Sequence, residues 1–77
     1  MMFEALETVV LTRDLAEHGL RAGDLGAVVE VCEPDRVDVE FVTAGGLTQA
    51  LVTLPVTDLR KVGPRDMVAV RPVRPAA

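Results

Sequence analysis

Apolar residues along this chain come in short runs, cut by glycine, proline and acidic turns. RVDVEFVT, residues 36–43, is the clearest run: Val37, Val39 and Phe41 alternate with Asp38 and Glu40. Period two predicts a strand with one face in a core and an acidic face in water. ALETVVLT, residues 5–12, predicts an earlier strand, since β-branched residues fill its second half. LTQALVTL, residues 47–54, predicts a later one, joined to 36–43 by a hairpin at Ala44-Gly45-Gly46.

GLRAGDLGAVVEV, residues 19–31, raises a choice between a nucleotide-binding loop and a turn that feeds a strand. The glycines at 19, 23 and 26 do not have dinucleotide spacing, and valines rather than a helical pattern follow them. Without a helix start there is no row of free N–H groups to hold phosphate. The turn is therefore expected: Gly23-Asp24 reverses the chain, and Gly26 lets it cross the sheet closely. Upstream, RDLAEHGLRAGD reads as a long loop with one helical turn, closed by Gly19 in a left-handed conformation.

LGAVVEVCE, residues 25–33, predicts a strand with imperfect alternation. Ala27, Val29 and Val31 fall to one face and Val28, Glu30 and Cys32 to the other, so a bulge or bend is expected near Gly26. Glu33-Pro34-Asp35-Arg36 predicts a tight turn. Pro55 is expected to break the sheet, with a 3₁₀ turn after it and a short strand over residues 59–62. Gly63-Pro64 is a breaker. Residues 67–74, MVAVRPVR, can form one more strand, which Pro72 and Pro75 confine to an edge. The expected fold is all-β: a small SH3-like barrel of about five strands over residues 1–62, with a basic extension over 63–77. An open antiparallel sheet that dimerises is the alternative.

Composition narrows the functional classes. At 77 residues, only one domain fits, and about 60% of its unfolded surface can be buried. Pairing with a second copy would add stability. Phe3 and Phe41 are the only aromatics, so the core is expected to rest on Val, Leu and Ala. Cys32 is the sole cysteine, which excludes an internal disulfide and a cysteine zinc site. No apolar run is long enough for a membrane span, and the N-terminal acids do not suit an export signal; a reducing cytoplasm is expected.

Charge is unevenly distributed. Residues 1–59 hold eleven acids and three bases, net −8. Residues 60–77 hold Arg60, Lys61, Arg65, Arg71 and Arg74 against Asp66, net +4. An acidic body disfavours wrapping nucleic acid, which needs Lys and Arg on the contact surface. The basic tail has three open readings: it folds back on an acidic barrel, it is solvated, or it meets an acidic partner or nucleic acid. No aromatic interleaves with its bases, so stacking on single-stranded bases is not offered there.

Candidate chemistry is sparse. His18 is the single histidine, Ser and Tyr are absent, and Glu17 beside it need not orient its ring. It is expected to fix its loop by hydrogen bonding. Asp38 and Glu40 share a strand face, and Glu30 is placed across from them on the neighbouring strand. These carboxylates suit a solvated face, a basic protein partner or, least of all, an oxygen-liganded cation. No catalytic group, cofactor or metal is expected.

Gly23, Asp24, Gly26 and Val28 form a G-D-x-G-x-V turn similar to that of KOW and SH3-like modules of ribosomal and transcription proteins. VVLTRDLAEHGLRAGDLGAVVEV, DVEFV and TLPVTDLRKV together resemble a bacterial family of small standalone proteins known as domain of unknown function 4926, over residues 3–62. The resemblance implies an SH3-like barrel in a bacterial cytoplasm and brings no activity. Likeness to members beside toxin-like genes implies an immunity or antitoxin role. The expected function is a non-catalytic protein-binding module. Its contacts would come from Glu30, Asp38, Glu40, His18, Arg60, Lys61, Arg65, Arg71 and Arg74. The alternative is a KOW-like nucleic-acid module working through the tail.

Overall fold

A computed structural model describes residues 2–76. Five antiparallel strands form one sheet: β1 (Thr8–Leu11), β2 (Leu25–Cys32), β3 (Arg36–Val42), β4 (Thr48–Pro55) and β5 (Leu59–Lys61). Two 3₁₀ turns, Ala16–His18 and Val56–Asp58, interrupt them. The spatial order is β4-β3-β2-β1-β5.

The two edge strands are consecutive in sequence, separated by the three residues of the second 3₁₀ turn. A flat five-stranded sheet would hold its edges about 19 Å apart. Three residues of 3₁₀ helix rise only about 6 Å. The sheet must therefore roll. Its inner face closes on Phe3, Val9, Leu11, Val28, Val37, Val39, Phe41, Leu54 and Leu59, all buried. It is rolled but open: β4 and β5 do not pair among the described residues, so the expected closed barrel is not formed. With β5 only three residues long, there is little ladder with which to close it.

β2 serves two partners. Its first residues pair with β1 (Val9 opposite Gly26) and the rest with β3. The expected irregularity is present but lies further along, between Val28 and Glu30. Val28 sits opposite Val39 and Val31 opposite Val37, so both valines face the core, with the unpaired Val29 between them. The bulge thus changes which alternate positions point inward. Val28 and Val31 share a face, against the simple alternation read from the sequence. Gly26 is where the chain has no room: a Cβ there would lie 2.6 Å from Val39 Cγ1 and 2.9 Å from Phe41 Cε1.

Both phenylalanines are core residues, 1% and 2% exposed, and Ala50 is the only buried alanine among the described residues. The core is therefore Val, Leu and Phe rather than Val, Leu and Ala. A ring fills a space that alanine leaves empty. The long loop folds as a small hairpin, with Leu15 and Leu20 exchanging backbone hydrogen bonds at 3.0 and 3.1 Å and both side chains plugging the core. Gly19 ends its 3₁₀ turn at φ 71°, a left-handed conformation as expected.

The sheet breaks at Pro55 as expected: it is the last residue of β4, opposite Arg36, at an edge where no ladder donor is required, and the 3₁₀ turn Val56–Asp58 follows it. One further expectation is corrected. Residues 67–74 form no strand. The Gly63 and Asp66 backbones close a turn, and Asp66 also takes the Gly63 N–H and the Arg60 guanidinium. That turn carries the chain away from the edge of β5, and Pro72 and Pro75 remove two donors.

Candidate functional site: an acidic sheet face and a strapped basic tail

Register builds the acidic face. Asp38 lies opposite Glu30 on one side and Thr53 on the other, giving a row across β4, β3 and β2. The next row outward is Leu51, Glu40, Ala27 and Thr8. Glu30 is thus brought beside Asp38 as expected. Two threonines orient the carboxylates: Thr53 Oγ1 donates to Asp38 Oδ1 at 2.5 Å, and Thr48 Oγ1 donates to Glu40 Oε2 at 2.6 Å. None of the three acids takes part in an ion pair among the described residues; the four bridges use Asp58, Asp66, Glu7 and Asp24. The face keeps its negative charge.

Cys32 completes a cluster with Glu30 and Asp38, ligand atoms within 4.8 Å of one another. Partial burial pushes its thiol above the ordinary range, and the Asp38 and Glu30 charges and a hydrogen bond with Asp38 add to this. A thiol held protonated is a poor nucleophile. The three residues could reach one small cation, but exposed carboxylates at this spacing are equally at home in water.

The tail's bases are mostly occupied within the chain. Arg60 forks Asp66 at 2.8 and 2.9 Å, which raises the Arg60 pKa and lowers that of Asp66 to about 2, the Gly63 N–H assisting. Lys61 Nζ reaches Glu7 at 2.7 Å, holding that carboxyl below its usual range, and lies 5.3 Å from the Phe3 ring centre. Arg71 grips Asp24, which raises its own pKa. Arg65 and Arg74 stay outside the ion pairs among the described residues. The backbone carbonyl of Arg74 instead takes the Gln49 amide at 2.9 Å. So the tail lies back on its own acidic body, the first of the three readings.

His18 belongs to neither group. Its loop is tied through the His18 backbone carbonyl, which accepts from Gln49 Nε2 at 3.0 Å. The turn question raised by residues 19–31 is also settled: Gly23 N–H donates to Leu11 O, Leu11 N–H donates to Asp24 O, and the Asp24 carboxylate accepts from Arg21 N–H. Sequence reading missed Asp24 and Gln49 as anchors of the tail. Only the surplus of acid in the body and base in the tail hinted at such ties.

An acidic all-β sheet domain with a strapped-down basic tail is the class these features define. Residues 5–61 match the family described as Domain of unknown function (DUF4926), and the chain belongs to that family. No curated protein and no solved structure matches it significantly. Among the described residues, no helix is long and apolar enough to cross a membrane.

Proposed function

We propose that this chain is a non-catalytic binding module of SH3-like architecture that recognises a basic surface on another protein through Glu30, Asp38 and Glu40. The observation that carries this reading is the uncompensated acid row on β2 and β3, held in place by Thr53 and Thr48. A preset charged face speeds association and selects partners by complementarity. The strand order, with a 3₁₀ turn between β4 and β5, supports the SH3-like reading. A bacterial cytoplasmic protein that neutralises a toxin or nuclease fits the same face, because a cleft that holds phosphate is basic.

The competing reading, a KOW-like nucleic-acid module, needs free tail bases. Arg60, Lys61 and Arg71 are engaged with acids of their own chain, which leaves Arg65 and Arg74. Capture from cell extract tests the choice, comparing the wild type with the triple variant Glu30→Gln, Asp38→Asn, Glu40→Gln. A specific basic protein should be retained at low salt, released as salt shortens the Debye length to about 3–8 Å, and lost with the triple variant. Identical retention by both forms, or retention of nucleic acid alone, rejects the acidic-face reading.

A further inference from the structure

The two edges of the sheet are protected very differently. β5 is three residues long and carries Arg60 and Lys61. Length and charge of that kind are how natural sheets blunt an edge. β4 is eight residues long, and no residue from Thr48 to Pro55 is charged. Apart from its ladder with β3, no backbone group of residues 48–55 is hydrogen-bonded among the described residues. Gln49 ties the beginning of the strand to the first loop and the tail through its side chain, so Ala50–Leu54 is the open stretch. Leu51 is 60% exposed there.

We propose that Ala50–Leu54 is a homodimer edge: β4 of one copy pairs antiparallel with β4 of a second about a two-fold axis near Val52. Antiparallel pairing of identical strands is self-complementary, as a two-fold interface requires. A neutral strand offers nothing to steer a charged peptide, whereas a second β4 brings matching free N–H and C=O groups and sets the exposed Leu51 of each copy beside Thr53 of the other. Charge favours this geometry over other contacts between copies that are each net −4. The acids opposite this stretch in the ladder, Glu40 and Asp38, lie one strand in from the edge. Across paired edges, opposing acid rows are about 14 Å apart, beyond the screening length of about 8–10 Å at ordinary salt. Pairing through the acidic faces would press like charges together. The proposal does not depend on the partner proposed above. If both hold, the dimer sets two acid rows on one continuous sheet, and binding to a repeated basic surface gains avidity.

Sedimentation of the full chain from about 5 μM to 500 μM, together with amide exchange at both ends of that range, tests this. The mass should rise from 8.2 kDa toward twice that value, and amides within 50–54 should slow with concentration. Leu51→Lys, at an exposed position, should weaken association at least about tenfold, which is about 1.4 kcal/mol, while Val70→Lys in the tail should leave it unchanged. A chain that stays monomeric throughout overturns the proposal. So does a dimer whose slowed amides lie in 67–70 or β5, or a folded Leu51→Lys that dimerises like the wild type. If Leu51→Lys unfolds, the wild-type exchange map decides alone.

Discussion

Arg71 closes a fork on Asp24 from 47 positions away in the chain: Nε reaches Oδ1 at 3.1 Å, and Nη2 contacts both Oδ2 and, at 3.2 Å, the Gly19 carbonyl. The same Asp24 Oδ2 accepts the Arg21 N–H at 2.8 Å and so also shapes the turn into β2. One carboxylate therefore serves the domain and its strap together. Two parallel charge-assisted bonds need a planar fork.

Arg71→Ala should free residues 67–74 while leaving the sheet intact. ¹⁵N relaxation should show fast motion there, with the amide shifts of β2 and β3 unchanged. Arg71→Lys should not restore order, because an ammonium cannot make both bonds. An ordered tail in Arg71→Ala would show that Gln49 and the Arg60–Asp66 pair suffice to hold it.

Gly26→Ala should destabilise the domain severely for a one-carbon change. The added Cβ meets Val39 and Phe41, which are 0% and 2% exposed and cannot retreat. Overpacking of this kind costs about 1–3 kcal/mol, and each kcal/mol lowers Tm by about 4–8 °C in a domain of this size. Calorimetry checks it; an unchanged Tm would mean that the strand crossing is looser than the contacts imply.

Much of the fold was legible because local chemistry left few choices. Val37, Val39 and Phe41 could face only one way, and Gly19 and Gly23 fall where φ is positive. The β2 bulge was misplaced because valines fill both parities of LGAVVEV, and the pairing with β3 decides which of them points inward. Residues 67–74 have strand composition but join neither open edge of the sheet, being led off by the Gly63–Asp66 turn and tied to Asp24 through Arg71, a fact of topology rather than propensity. The acid row was legible from period two plus a hairpin. The tail anchors were not, since a pair 47 residues apart leaves no local pattern.

Asp66 gives the tail an acid-sensitive hinge. Its pKa falls from 3.8 to about 2 in the folded chain, mainly through the Arg60 bond and then the Gly63 N–H. A depressed carboxyl pKa means that the charged form is favoured by folding. The contribution is thus complete above about pH 4 and is lost as pH falls through about 2. Carboxyl ¹³C titration should place the midpoint near the lower figure, and Arg60→Gln should move it up. A wild-type midpoint at the ordinary carboxylate value would mean that the pair does not persist in water.

Among the described residues, Leu6 is the one non-glycine residue with positive φ, at 72°, and it is 86% exposed. Its N–H donates to Val28 O at 2.6 Å, next to the return bond from Val28 N–H to Glu7 O at 2.9 Å. That pairing holds the backbone where a Cβ crowds the following carbonyl, a penalty of about 1–2 kcal/mol. Leu6→Gly removes the crowding and little buried surface, while glycine's looser unfolded chain takes back about 0.5–1 kcal/mol. A net gain of about 0.5–1 kcal/mol is expected, read as a higher urea midpoint at unchanged m-value. Leu6→Val should go the other way, because branching at Cβ worsens the same clash. If glycine instead lowers the midpoint, Leu6 is held by contacts that its exposure conceals, and the backbone strain is not what sets the stability of this turn.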